Sequence, residues 1–196
     1  MNPYKDLPVE DWKAKTVELI EAHPLKKEEL VEAVLTSWDK IFDTYIGNEL
    51  KIGRDIQPSP QILGNYLHEL IPIYFEKKYD GKWHKDKTKK DKDLVCDFDN
   101  FFSIEIKTSS SRKNIFGNRS YGKQSIGENT KKKEGYYLAI NFEKCTDERE
   151  KPEITLIRFG WLEHSDWISQ NAETGQCSTL SKDSDALKFV TLYKKG

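Results

Sequence analysis

The stretch DLVCDFDNFFSIEIK, residues 93–107, decides how this chain folds. It holds two apolar runs, Leu94 to Phe98 and Phe101 to Lys107, about a turn at Asp99-Asn100, the pattern of a β-hairpin. In the second run Phe102, Ile104 and Ile106 alternate with Phe101, Ser103, Glu105 and Lys107. A strand repeats every two residues, so Glu105 and Lys107 share a face. An acid, Asp93, opens the first run twelve residues before Glu105. Loop length fixes who opposes whom. A three-residue loop at 98–100 sets Asp93 against Glu105, whereas a two-residue loop pairs Asp93 with Ile106 and turns the acids to opposite faces. Asp97, nearer the turn, is the reserve for the first acid.

Asp/Glu-x-Lys is a cheap pattern in a chain that is 33% charged; it starts at Asp11, Glu49, Glu76, Asp80 and Glu105. Only the copy at Glu105 lies in an alternating run behind an acid. Its chemistry is that of a metal-dependent nuclease. Mg²⁺ is held by one or two carboxylates, with waters and phosphate oxygens completing its shell, and Asp93 and Glu105 fit that role, with Ile106 between Glu105 and Lys107 as a third metal-site position. The ion makes water a better nucleophile and offsets charge on the phosphate. Lys107 is placed to orient or deprotonate that water and balance transition-state charge. The bland alternative is a solvated Glu–Lys strand face, worth little energetically.

With 196 residues, 36% of them apolar, the chain has the size of one α/β domain. No opening segment suits a signal peptide and no run approaches the roughly 20 apolar residues of a spanning helix, so a cytoplasmic protein without membrane contact is expected. Cys96, Cys145 and Cys177 have neither disulfide nor zinc spacing; Cys96 reads as a small core residue. The net charge of −1 hides an asymmetry: Lys77 to Lys133 carries sixteen Lys/Arg against eight Asp/Glu. Basic side chains supply most sequence-independent affinity for nucleic acid, and the motif sits among them. Residues 83–92 read equally well as a flexible charged loop.

The first half reads as helical, over 9–22 and 27–46, the latter with Trp38, Phe42 and Tyr45 as core aromatics. A Pro-punctuated connection at 51–61 leads to a third helix from near Pro60, which Pro72 ends or kinks. Glu69 on that helix is a candidate for a further catalytic or metal-binding acid; His68 reads as packed or surface-exposed. After Lys107 comes a polar, basic, Gly-punctuated segment, 108–133, with Phe116 and Tyr121 interleaved. Its candidates for DNA contact are Ser109, Ser110, Arg112, Lys113, Asn114, Asn118, Arg119, Ser120 and Gln124, since Arg suits guanine and Asn or Gln adenine. Tyr136 to Phe142, Ile154 to Phe159 and Phe189 to Tyr193 read as strands, and residues 160–170 as a capped turn or short helix with Trp161 and Trp167 packed. His164 reads as structural. The single domain, 1–196, comprises a helical N-terminal part, 1–57, and a catalytic core, 58–196.

These residues resemble the PD-(D/E)xK nuclease superfamily, with Asp93 as the first acid and Glu105 and Lys107 as ExK; Lys92 stands where that motif has proline. Within it, IEIKTSSSRKNIFGNRSYGKQS resembles type II restriction endonucleases, the ScaI kind among them. The resemblance implies a restriction-endonuclease-like core, a central mixed β-sheet flanked by helices. It also implies Mg²⁺-dependent hydrolysis of double-stranded DNA leaving 5′-phosphate ends, a homodimer matched to a palindrome with the N-terminal helical part, 1–57, as its interface, and a companion DNA methyltransferase. A structure-specific repair or junction nuclease on the same scaffold, or a DNA-binding protein that cuts nothing, are the competing readings.

Overall fold

The computed structural model describes residues 2–122, 133–170 and 176–196. A 3-10 turn at Val9–Asp11 leads into helix α1 (Trp12–Glu21) and α2 (Lys27–Phe42), then a ribbon of β1 (Tyr45–Ile46) and β2 (Leu50–Lys51), and α3 (Pro60–Lys78). There follow β3 (Trp83–Lys85), β4 (Leu94–Cys96), β5 (Ile104–Ser109), β6 (Gly117–Asn118), β7 (Gly135–Phe142), β8 (Ile154–Leu162), β9 (Trp167–Ser169), β10 (Cys177–Leu180), α4 (Lys182–Leu187) and β11 (Phe189–Lys194). Six strands make the central sheet in the order β11-β8-β7-β5-β4-β3, with β5 and β7 parallel and the other neighbours antiparallel. Strands β6, β10 and β9 form a separate small antiparallel sheet. The expected α/β architecture, a mixed sheet with helices, is what the chain adopts.

The helices form where apolar residues recur every three or four positions. On α2 these are Leu30, Ala33, Val34, Trp38, Ile41 and Phe42, all buried. Helix α3 starts at Ser59, whose hydroxyl accepts from the Ile62 N–H, with Pro60 in the first turn. Side chains of α1, α2 and α3 share one buried cluster with Ile104 and Ile106 of β5, Tyr136, Leu138 and Ile140 of β7, and Phe159 and Trp161 of β8. The intervening residues Tyr137 and Ala139 join a second cluster with Ile115, Trp167 and Phe189. Both faces of β7 are therefore covered, and every one of its residues is buried. Glu105 and Lys107 alternate with Ile104 and Ile106, so they point away from the main cluster.

Several expectations are corrected. Helix α2 ends at Phe42, not 46, because Gly47 and Asn48 both take positive φ and reverse the chain into the β1–β2 ribbon. Tyr45 is consequently exposed rather than part of the core. Helix α3 runs through Pro72 to Lys78. Proline removes the N–H that would bond the His68 carbonyl, but buried Leu67, Ile71 and Phe75 hold the helix on either side. The reversal after β4 is longer than a two- or three-residue loop. The Asp99 carboxylate accepts from the Phe101 N–H at 2.9 Å and caps a 3-10 turn, Asn100–Phe102. Residues 83–85 form the edge strand β3 with Trp83 and His84 buried, while 86–90 are exposed. Residues 160–162 extend β8, followed by a 3-10 turn at His164–Asp166 and β9. Trp161, Trp167 and Cys96 are buried as expected.

One buried ion pair joins the chain's two ends. Lys188 Nζ lies 2.8 Å from Asp166 Oδ1, with the two side chains 1% and 2% exposed. The ammonium also sits 4.3 Å from the Tyr4 ring centre and 4.2 Å from that of Trp12. Removing one partner strands the other charge, so Asp166→Ala is expected to cost about 3–5 kcal/mol in urea unfolding.

A second stability prediction concerns His23. It is buried between α1 and α2, its Nδ1 accepting from the Leu25 N–H at 3.1 Å and its Nε2 3.1 Å from the Phe102 carbonyl. Burial lowers its pKa from 6.5 to about 4. The unfolded chain therefore binds the extra proton more readily, and the stability present above pH 6.5 is lost as pH falls toward about 4. The loss is on the order of 3 kcal/mol. Urea midpoints across this window should fall in the native protein and flatten in His23→Leu.

Candidate active site

Strands β4 and β5 meet at one residue pair, Leu94 opposite Ile104. That is the register in which Asp93 stands opposite Glu105, although the connecting loop is longer than expected. Side chains extend the pairing at both ends. Asp93 Oδ2 accepts from the Ile106 N–H at 2.6 Å, and the Cys96 N–H donates to Ser103 Oγ at 3.0 Å. The first acid is thus fastened to the main chain between Glu105 and Lys107.

Glu105 is 3% exposed, and a charge so buried needs partners. Lys107 Nζ donates to Glu105 Oε1 at 2.7 Å. Tyr121, from the 3-10 turn Arg119–Gly122, donates its hydroxyl to the same oxygen at 2.6 Å and accepts from Lys107 Nζ at 2.8 Å. The Lys107 ammonium lies 4.6 Å from the centre of the Tyr121 ring. Burial, then the charge of Glu105, pushes the Tyr121 phenol far above its usual pKa, and Asp93 adds to this. Tyr137, opposite Glu105 on β7, is raised by burial and by the same two acids.

Helix α3 forms the other wall. A Cβ on Gly64 would lie 2.4 Å from Thr108 Oγ1, so glycine is what lets the helix rest on β5. One turn later His68 Nδ1 lies 3.5 Å from Asp93 Oδ2. The other two acids considered point elsewhere. Glu69 forms an exposed pair with Lys85 at 2.5 and 2.6 Å, and its contacts join it to neither Asp93 nor Glu105. Asp97 is exposed at the far end of β4, 2.9 Å from His84 Nε2.

Beside this site, Pro60, Gln61 and Asn65 of α3 face Thr108 to Ser111, Phe116 and Lys144 across a cleft of about 510 Å³. Of the residues considered for DNA contact, Ser109 and Ser110 line it. Arg112, Asn114, Asn118 and Ser120 are exposed nearby. Lys113 pairs with Asp185 at 2.7 Å. Arg119 is half-buried, its main chain bonded to Gln176 and Ser169. Gln124 lies outside the described residues. Tyr121, His68, Gln61 and Asn65 were missing from the sequence-based set. The aromatic in the basic loop was visible as a feature, and Gln61 and Asn65 share the i, i+4 spacing of one helix face, but nothing local marked them as site residues.

The donor set suits a small hard cation that keeps its waters. Among the described residues no group of three or more His, Cys, Asp and Glu gathers as a protein cage, and Mg²⁺ does not require one. A carboxylate has about four acceptor positions, so the bonds to Asp93 Oδ2 and Glu105 Oε1 are compatible with an ion on both groups. Ile106 can add only its main-chain carbonyl.

A six-stranded mixed sheet with helices, carrying paired acids and a lysine on its central strands, defines a restriction-endonuclease-like core. The family model for the ScaI restriction endonuclease matches residues 2–193. The chain is also 45% identical over 196 residues to the type II restriction enzyme ScaI of Streptomyces caespitosus, covering all of this chain and 86% of that protein. The chain belongs to the ScaI restriction endonuclease family.

The Gly64–Thr108 approach is directly testable. Gly64→Ala should lower the thermal midpoint despite alanine's better helix propensity, because overpacking costs roughly 1–3 kcal/mol. Adding Thr108→Ala, which deletes the opposing oxygen, should recover it.

Proposed function

We propose that the protein is a type II restriction endonuclease that hydrolyses phosphodiester bonds at specific sites in double-stranded DNA with Mg²⁺, leaving 5′-phosphate ends. The observation that carries this reading is Asp93 and Glu105 on one face of the β4–β5 pair with Lys107 bonded to Glu105 at 2.7 Å. Asp93, Glu105 and the Ile106 carbonyl would hold the ion. When bound, it neutralises phosphate charge and makes water more acidic. Lys107 orients the attacking water and balances charge on the phosphate oxygens. His68 lies close enough to Asp93 to steady it. Ser109, Ser110, Arg112, Lys113, Asn114, Asn118, Arg119, Ser120 and Gln124 supply DNA contacts, and the cleft beside β5 adds Gln61 and Asn65, whose amides suit base edges.

Two copies act together, each cutting one strand of a two-fold site. The interface falls within residues 1–57, where Tyr45, Ile46 and Leu50 expose apolar surface. Among the described residues no helix is long and apolar enough to cross a membrane. The protein acts on DNA in the cytoplasm, beside a protective methyltransferase.

Phage-length duplex DNA incubated with the protein should give discrete bands with Mg²⁺ and remain intact with EDTA. A smear would favour a non-specific or shape-reading nuclease. Glu105→Ala and Lys107→Ala should each abolish cleavage while retaining DNA binding in a gel-shift assay; full activity in either would overturn the site assignment.

A further inference from the structure

The turn after β6 and the small β6-β10-β9 sheet lie outside the paired acids and lysine, yet they deliver one side chain into their midst. We propose that Tyr121 is a positioning residue that locks Glu105 and Lys107 into their working geometry before DNA binds. The proposal rests on the nuclease reading of that pair.

Lysine has a long, flexible side chain, and holding it in one place costs rotamer entropy. A bond to Glu105, two residues away on the strand, fixes only one direction of the Lys107 ammonium. Tyr121 supplies the others. A phenol is both donor and acceptor, so its hydroxyl can donate to Glu105 Oε1 at 2.6 Å while accepting from Lys107 Nζ at 2.8 Å. The ammonium lies 4.6 Å from the ring centre, beside the hydroxyl it donates to. The three groups close a triangle in which each contact involving a charge is short and charge-assisted.

The ring is itself held. A Cβ on Gly117 would come within 2.8 Å of Tyr121 Cγ, so the β6 main chain packs directly on the ring. Trp167 of β9 meets it edge-on at 5.0 Å. The turn is tied down by the Arg119 N–H to Gln176 carbonyl bond at 2.8 Å and by Ser169 Oγ donating to the Arg119 carbonyl at 2.8 Å. Gly122 sits so tightly that a Cβ there would be 2.4 Å from Ser169 Oγ. The small sheet is thus a mount for one hydroxyl, and a catalytic group misplaced by about 1 Å can lose roughly 100-fold in rate.

The test is Tyr121→Phe, which keeps the ring and its packing and deletes only the hydroxyl. On phage-length duplex DNA that the unaltered enzyme cuts into discrete bands, single-turnover cleavage at saturating Mg²⁺ should slow by roughly 10- to 100-fold. Affinity for the same DNA with Ca²⁺ replacing Mg²⁺ should stay essentially unchanged, while the thermal midpoint should fall only modestly, by the loss of one hydrogen bond to the buried Glu105. Gly117→Ala, which displaces the ring but keeps the hydroxyl, should slow cleavage similarly and add little in the double variant. Cleavage by Tyr121→Phe within about twofold of the original rate overturns the proposal, as does equal loss of binding, rate and stability, which would mark a purely structural residue. Lys107→Ala separates the two levels of inference. If it still cuts, the site reading fails and this proposal with it; if it is inactive while Tyr121→Phe is fully active, only the role of Tyr121 fails.

Discussion

The pairing of Leu94 with Ile104 is the constraint on which the rest of the site depends. Side chains on a strand alternate, so a slip of one residue between β4 and β5 would send Asp93 to the opposite face from Glu105 and Lys107. One pair of residues is a thin basis for so strict a requirement, and side chains reinforce it. Asp93 binds the Ile106 N–H and Ser103 binds the Cys96 N–H, one at each end of β4. Below them, Leu94, Ile104 and Ile106 are fully buried against the helices, and a slipped register would expose those residues and bury charge instead. Hydrophobic burial on one face thereby fixes the chemistry on the other.

That second face carries an electrostatic burden. Glu105 is almost completely buried, and Lys107 and Tyr121 compensate its charge together. Breaking such a set leaves a buried charge exposed to desolvation cost without its partners. The architecture answers with two supports of different kinds. Helix α3, brought close by Gly64, stands against Asp93, and the small sheet stands behind Tyr121. The parallel step from β5 to β7 is the topological reason the second support exists, since a parallel pair needs a crossover connection, and that connection contains β6 and the Tyr121 turn.

The sequence made the large features legible because they rest on periodicity. The alternation through Ile104 and Ile106, the three- and four-residue spacing of α2 and α3, and the apolar runs of β7 and β8 are local signals, and the mixed sheet follows from them. What escaped is what tertiary context decides. Tyr45 continued a helical pattern, but positive φ at Gly47 and Asn48 took it out of the helix. The Asp99-Asn100 dipeptide was recognised as a turn, but not that Asp99 would cap a 3-10 segment and lengthen it while the register survived. Glu69 was favoured over His68 by residue type. Their adjacent positions on α3 differ by about 100° around the axis, and packing at Gly64 turns His68, not Glu69, toward Asp93. Tyr121 is sixteen residues from Glu105 and meets it only because the small sheet folds back.

The charge asymmetry, too, changes meaning once the partners are visible. Counting Lys and Arg from 77 to 133 suggested a broadly basic surface, but Lys85 is engaged by Glu69 and Lys113 by Asp185, so their charges are partly offset before any phosphate approaches. Lys107 is half-buried on Glu105, so its charge is turned to the buried acid rather than to the surface. The basic character offered to a duplex is therefore narrower than the composition implies. Among the described residues Arg112 is exposed after β5, Lys87, Lys89 and Lys90 are exposed before β4, and Lys144 lines the polar cleft. Phosphate contacts position a duplex and base contacts specify it. The cleft combines the amides of Gln61 and Asn65 with Ser109 to Ser111 and a single lysine, so its lining is richer in neutral polar groups than in charge.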